Sequence, residues 1–249
     1  MKKSALLFLF SLGLQACAST LSMSPKLQEG QKEVYDSGVA TVISKKQNTI
    51  VALRPATSTY ESTQRPEMIV SVFNRSAKEF NISTQNVKVL VDGKPAKIRT
   101  YEELVADVKR QQTMQAIAAA FAGAADSINA ANSGYTYHSG STSVYGNNGY
   151  SGYGTYSGRT YNAAAANQAQ AAASARSQAN FTAIRQNAER SLINLSKTIL
   201  RKTTVMPNGW EGGYIVFEKV EKSQEPHEIT FLVETAGEVH EFTFDHNKM

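Results

Sequence analysis

The chain has 249 residues, with 26 Lys and Arg against 21 Asp and Glu, four His and one Cys. A net charge of +5, with no block of five like charges, is too small and too dispersed to mark a nucleic-acid binder. One cysteine excludes an internal disulfide and a zinc–thiolate cluster.

Lys2 and Lys3 form a basic start, and an uncharged apolar run from Ala5 to Leu14 follows. That run is about half the roughly 20 residues a spanning helix needs, so it reads as an export signal and not as a membrane span. Leu14-Gln15-Ala16-Cys17 comes next and resembles the bacterial lipobox, with Gln15 in place of the usual small residue. The resemblance implies signal-peptidase recognition through Leu14, Gln15 and Ala16. It also implies cleavage before Cys17, a diacylglyceryl thioether on that residue and an acylated amino group. An unpaired thiol is a liability in an oxidising compartment, and acylation removes it. Several acyl chains, at about 0.8 kcal/mol per buried methylene, hold a protein to a bilayer where one chain is marginal. Ala18 follows the cysteine where Asp would favour retention in the inner membrane. By resemblance to the sorting rule of enteric bacteria, this favours the outer membrane.

The 233 residues from Cys17 onward suffice for one large domain or two small ones. Residues 17–32 are polar, carry Pro25 and Gly30, and read as a lipidated tether. Residues 33–100 and 201–249 share one chemistry, short β-branched and aromatic runs between turn signals. Expected strands are Val34–Ser44, Thr49–Leu53, Glu67–Phe73, Glu79–Ser83, Asn86–Val91, Lys94–Arg99, Tyr214–Val220, Glu228–Glu234 and Glu238–Asp245. Asp92-Gly93 suits a two-residue hairpin turn and sets Val87 opposite Ile98 and Val89 opposite Ala96. A turn at Ala236-Gly237 sets Ile229 opposite Phe244, Phe231 opposite Phe242 and Val233 beside His240. A slip of one residue would turn these side chains to opposite faces.

Between the two halves the period changes. Thr100 and Glu103 form a capping box. After it Met114, Ile117, Phe121, Ala124, Ile128 and Ala131 recur at alternating steps of three and four, the a/d seam of packed helices. This helix should end near Asn132-Ser133-Gly134. A second, Ala-rich helix runs from about Asn162 to Leu200, with a stripe at Phe181, Ile184, Ala188, Leu192, Leu195 and Ile199. The pair would fold as an antiparallel hairpin over 101–200. Its tip, 133–161, holds seven Gly and seven Tyr and no Lys, Asp or Glu. No helical or strand period stands out there, so the tip reads as low-complexity.

The fold class that follows is α+β. An antiparallel β-sandwich, built from both β-rich halves because neither closes a core alone, is interrupted by the long Ala-rich helical hairpin. Strand number and short turns are similar to immunoglobulin-like sandwiches, a superfold that carries no particular activity.

Catalytic signatures are missing. With Cys17 committed to lipid there is no thiol nucleophile, and Gly-x-Ser-x-Gly, His-Glu-x-x-His and the Walker loop do not occur. His227 and His246, opposed in the expected register, could join Glu225 as a weak metal site or be two solvated histidines. The second is expected, with no metal and no cofactor. His240, on the apolar face, reads as a hydrogen-bonded core residue. Tyr135, Tyr137, Tyr145, Tyr150, Tyr153, Tyr156 and Tyr161 offer large contact area at low entropy cost. They make the tip a candidate partner-binding surface for an envelope protein or a glycan. The expected function is a lipid-anchored, non-catalytic structural or interaction module of the cell envelope. The alternative is a subunit of a membrane-associated secretion or pore-like assembly, in which copies pack their helical hairpins as a homo-oligomer. An enzyme is the least expected.

Overall fold

In the computed structural model, residues 19–145, 147, 149, 151–220 and 226–248 are described. They form a mixed α+β protein of mostly antiparallel open sheets and two helices. Before the helices come β1 (Thr20–Lys26), β2 (Gln31–Asp36), β3 (Val39–Lys45), β4 (Thr49–Pro55) and β5 (Thr59–Glu61). β6 (Glu67–Asn74), β7 (Phe80–Ile82), β8 (Val87–Val91) and β9 (Lys94–Ala96) complete that half. Then follow α1 (Tyr101–Asn132), β10 (Tyr135–Tyr145), β11 (Ser151–Tyr161) and α2 (Ala163–Thr198). The chain ends with β12 (Thr203–Val205), β13 (Trp210–Val216), β14 (His227–Thr235) and β15 (Glu238–Lys248). Two compact units result: the described residues up to Leu104 together with those from Leu195 onward, and Val105–Asn194.

In the first unit, strand order is β5-β1-β15-β14-β8-β9 in one sheet and β13-β6-β4-β3-β2 in another, with a small β12-β7 pair. Alternation explains the core. Val51 and Leu53 of β4, with Met68, Val70 and Val72 of β6, are buried in one common cluster with Ile229, Phe231 and Val233 of β14 and Phe242 and Phe244 of β15. Phe231 sits edge-on to both Phe217 and Phe244, with ring centroids 5.6 and 5.8 Å away, the arrangement aromatic quadrupoles prefer.

The hairpin turns obey their residues. Asp92-Gly93 and Ala236-Gly237 both have two positive φ angles, as a type I′ turn requires. The β14–β15 register is the expected one, with Ile229 facing Phe244, Phe231 facing Phe242 and Val233 facing His240. Val89 faces Ala96, but β9 stops there, and Ile98 bridges to Phe217 instead of Val87. The run Val34–Ser44 is two strands, because Ser37-Gly38 makes a third turn of the same kind (φ 52° and 82°). In the last β-rich half the strand expected at Tyr214–Val220 begins earlier, as β13 over Trp210–Val216, and β12 precedes it without having been expected.

Part of the expected tether is also a strand. β1 pairs along its length with β15 and over Thr20–Ser22 with β5. Met23 is buried in the common core, and its side chain outweighs the loop signal of Pro25, which lies past the three residues β5 covers.

Both helices are tied into the first unit at one end. Thr100 and Glu103 close the capping box, with the Thr100 amide donating to Glu103 Oε2 (3.0 Å) and the Glu103 amide to Thr100 Oγ1 (3.2 Å). The Arg99 amide donates to Val216 O (2.8 Å) and the Leu200 amide to Tyr214 O (2.9 Å), so the segments flanking the helices meet the same strand. Leu104, Ile199 and Val216 form a second small core beside Tyr101, Leu195 and Tyr214. Gly213 makes this approach feasible, since a Cβ there would stand 2.7 Å from the Leu200 nitrogen and 2.9 Å from Thr198 O.

In the second unit, the covered face of α1 is not the expected seam. Gln112, Ala116, Ala119, Gly123 and Asp126 are partly covered, and Ala130 is buried. A Cβ on Gly123 would stand 3.0 Å from Ser177 Oγ, and Asp126 lies 3.6 Å from Arg176 Nε. On α2 Ala166 and Ala173 are buried together with Ala188 of the expected stripe, whose Ile184 and Leu192 are partly covered and whose Phe181 is exposed. Small side chains win because they let two helix backbones approach closely, which bulky ones prevent. Met114, Ile117, Phe121 and Ile128 are exposed in consequence.

Candidate functional site

The segment between the helices is a two-stranded antiparallel ribbon and not an irregular tip. β10 and β11 pair without a bulge from Tyr135↔Tyr161 to Tyr145↔Ser151. Tyr, Thr and Val favour extended backbone, and the ladder satisfies the amides of the small residues between them. At its base, Gly134 fits where a Cβ would meet the Tyr161 ring at 2.6 Å and the Ala166 Cβ at 2.9 Å. Asn162 then caps α2, its Oδ1 accepting from the Ala165 amide (3.1 Å).

The pairing sorts the side chains by parity. Tyr135, Tyr137, Tyr145, Tyr153 and Tyr161 are all odd-numbered and share one face, where all five are exposed. Tyr135 and Tyr161 pack against each other at the base with centroids 4.8 Å apart and rings tilted by 48°, and the Arg159 guanidinium lies 5.2 Å from the Tyr135 ring centre. Ser139, Ser141, Ser143, Thr155 and Ser157 separate these aromatics from Tyr145 and Tyr153. The opposite face carries Gly140, Gly152, Gly154 and Gly158. Tyr156 belongs to that face and lies over Gly140, where an added Cβ would come within 2.7 Å of its ring. It therefore serves as a cover for a bare strand position, apart from the other five. Shallow depressions along the ladder are lined by residues such as Ser139, Ser141, Tyr156 and Ser157. Of the other expected site residues, Leu14, Gln15, Ala16, Cys17 and Tyr150 lie outside the described residues, as does Glu225.

The first unit holds two buried imidazoles. His240 Nε2 lies 2.8 Å from Thr49 Oγ1, and Nδ1 lies 2.9 Å from Ser44 Oγ. Thr49 gives its one hydroxyl proton to Glu238 Oε2 at 2.6 Å, so it accepts from His240, and the imidazole is a neutral Nε2–H tautomer accepting from Ser44. Burial, and then the Lys46 charge, push the His240 pKa down to about 4, against a smaller opposing pull from Glu238. His240 is thus a hydrogen-bonded core residue.

His227 and His246 face each other across the β14–β15 ladder with ring centroids 6.1 Å apart. Each already has a partner: His227 Nδ1 lies 2.6 Å from Asp92 Oδ2, and His246 Nε2 lies 2.5 Å from the Tyr60 hydroxyl. Burial raises the Tyr60 pKa, so it stays a phenol and donates to His246. Burial and the neighbouring His227 lower the His246 pKa against the pull of Asp92. Among the described residues, no group of three or more His, Cys, Asp and Glu is placed to hold a metal ion. No described helix is long and apolar enough to cross a membrane.

Comparison with protein-family models, with curated proteins and with solved structures gives no match to this chain.

Proposed function

We propose that this protein is a lipid-anchored, non-catalytic module of the cell envelope that contacts a partner through the tyrosine face of its β10–β11 ribbon. The observation that carries the reading is the sorting of five exposed tyrosines onto one face, with glycines on the other. A face of that chemistry offers broad aromatic contact at small ordering cost, with Ser and Thr hydroxyls between the rings for hydrogen bonds. Such a surface suits an envelope protein or a glycan, whose C–H faces stack on aromatic rings.

The remainder of the chain serves this surface. Cys17, lipidated after recognition of Leu14, Gln15 and Ala16, holds the protein at the outer membrane. The two core-sharing sheets act as an immunoglobulin-like sandwich that supports α1 and α2 at their outer ends. The Ala-rich helices act as an antiparallel hairpin bearing the ribbon. The proposed role needs no cofactor.

The test replaces Tyr135, Tyr137, Tyr145, Tyr153 and Tyr161 by Ser in the full chain and cross-links intact envelopes. All five side chains are exposed, so the fold should persist, measured by unchanged circular dichroism. Loss of the cross-linked partner in the variant supports the reading. Undiminished capture by a folded variant contradicts it.

A further inference from the structure

α1 carries two seams, and the described residues cover only one of them. The small-residue seam through Ala116, Ala119, Gly123 and Ala130 lies at heptad positions c and f and meets α2. On the opposite side of the helix, positions a and d hold Met114, Ile117, Phe121, Ala124, Ile128 and Ala131. Phe121 is 74% exposed, Met114 and Ile128 63% each and Ile117 47%. Four large apolar side chains in one regular row, spread over about four helical turns, are not the scattered exposed hydrophobics of an ordinary surface. An a/d row of this regularity is the half of a coiled-coil interface that a second helix completes.

The row itself identifies that helix. Turned end for end against a copy of itself, α1 brings each a position opposite a d position of the other. Met114 then faces Ala131, Phe121 faces Ala124, and Ile117 faces Ile128. Every layer combines a large side chain with a small one or two of middle size, which is the condition for filling a seam without voids or clashes. A parallel pairing would instead oppose Phe121 to Phe121 and Ala124 to Ala124, alternating crowding with gaps. The flanking positions agree, because Thr113, Ala118, Ala120, Ala125, Ser127 and Asn132 are small and uncharged. No like charges would repel identical copies there, and no charged side chain is present to select a different partner. Asp126, the one acidic residue between Met114 and Asn132, lies on the other side of α1 and pairs with Arg176.

We infer that two copies of this protein associate through α1 as an antiparallel, two-fold symmetric pair whose contact is the row from Met114 to Ala131. A two-fold contact of this kind is isologous, with residue 117 of one copy at residue 128 of the other and the reverse. The exposed apolar surface available is roughly 1,000 Å² over both copies, near the lower limit for a specific interface. This inference does not depend on what the tyrosine face contacts, and the two fail separately.

The experiment places a photo-cross-linking amino acid at Ile117 in the full-length chain, with two differently tagged copies expressed together. Irradiation of intact cells should give a species of twice the chain's mass carrying both tags. Mass spectrometry should place the link near Ile128 of the other copy. Phe121→Glu together with Ile128→Glu should reduce this species by about tenfold or more, since two desolvated charges oppose the contact. Both side chains are exposed in the single chain, so helix content should not change. The charged variant can fail to fold without affecting the link map, which is read on the chain that keeps Phe121 and Ile128. A link near Ile117 of the other copy, a link only to a different protein, or a band only at the mass of one chain would each overturn the inference.

Discussion

Acid should weaken the first unit through one buried side chain, His240. The residue is fully buried and neutral, with a pKa near 4 against 6.5 for an unfolded chain. Between those values the unfolded chain takes up a proton that the folded one refuses. Its contribution to stability is therefore complete above pH 6.5 and is lost as the pH falls toward 4. One proton corresponds to about 1.4 kcal/mol per pH unit, or roughly 3 kcal/mol across the window. The comparison is with His240→Gln, whose amide can still donate to Thr49 but does not titrate. That variant should lose about 1 kcal/mol at neutral pH, for the bond to Ser44, and show a flatter pH response. Urea unfolding followed by fluorescence is a suitable assay, because the single tryptophan, Trp210 of β13, packs on Phe73 of β6 and reports this unit. Burial also lowers the His246 pKa, so some slope remains in the variant. Equal slopes in the two proteins would refute the assignment of the acid response to His240.

Gly213→Ala should destabilise the first unit by about 1–3 kcal/mol, because the added methyl strikes the backbone at Thr198 and Leu200; an unchanged urea midpoint would count against that close approach. Replacing residues 105–194 by a short Gly/Ser linker should leave a cooperative β-rich protein, since the second small core of Leu104, Ile199 and Val216 is retained. Thermal melting checks this, and a broad or absent transition would mean that the first unit needs the second.

The sequence discloses local chemistry better than it discloses partners. Asp92-Gly93 and Ala236-Gly237 give their hairpins and registers directly, because only a few residues tolerate two successive positive φ angles. Ser37-Gly38 carries the same signal but sits inside a long β-branched run, which masks the turn. Helix limits are legible at Thr100, where the capping box forms, and at Asn132, where Ser133-Gly134 follows, although Gly134 does not take the positive φ of a glycine cap. On α1, periodicity correctly groups Met114, Ile117, Phe121 and Ile128 on one face, yet a period does not say what that face meets. The chain uses the smaller residues opposite for its own contact, which only three-dimensional packing reveals.

The ribbon was hidden for a different reason. Its Gly and Ser content resembles that of a flexible connection, and β10 and β11 bury little that would mark a core face. The usable signal is parity, with tyrosines at 135, 137, 145, 153 and 161. β1 was obscured by Pro25 in a polar stretch, although Leu21 and Met23 alternate as a strand should. The buried polar networks around His240 and His246 join residues nearly 200 positions apart and have no sequence signature beyond an imidazole on an apolar face.

The claim that this is a lipid-anchored envelope protein is tested most directly by the mass of its mature N-terminus after extraction from membranes. The expected first peptide begins at Cys17 and is heavier by a diacylglyceryl group and one further acyl chain, with both changes lost in Cys17→Ser. An unmodified Cys17, or a mature chain beginning at another residue, would contradict it.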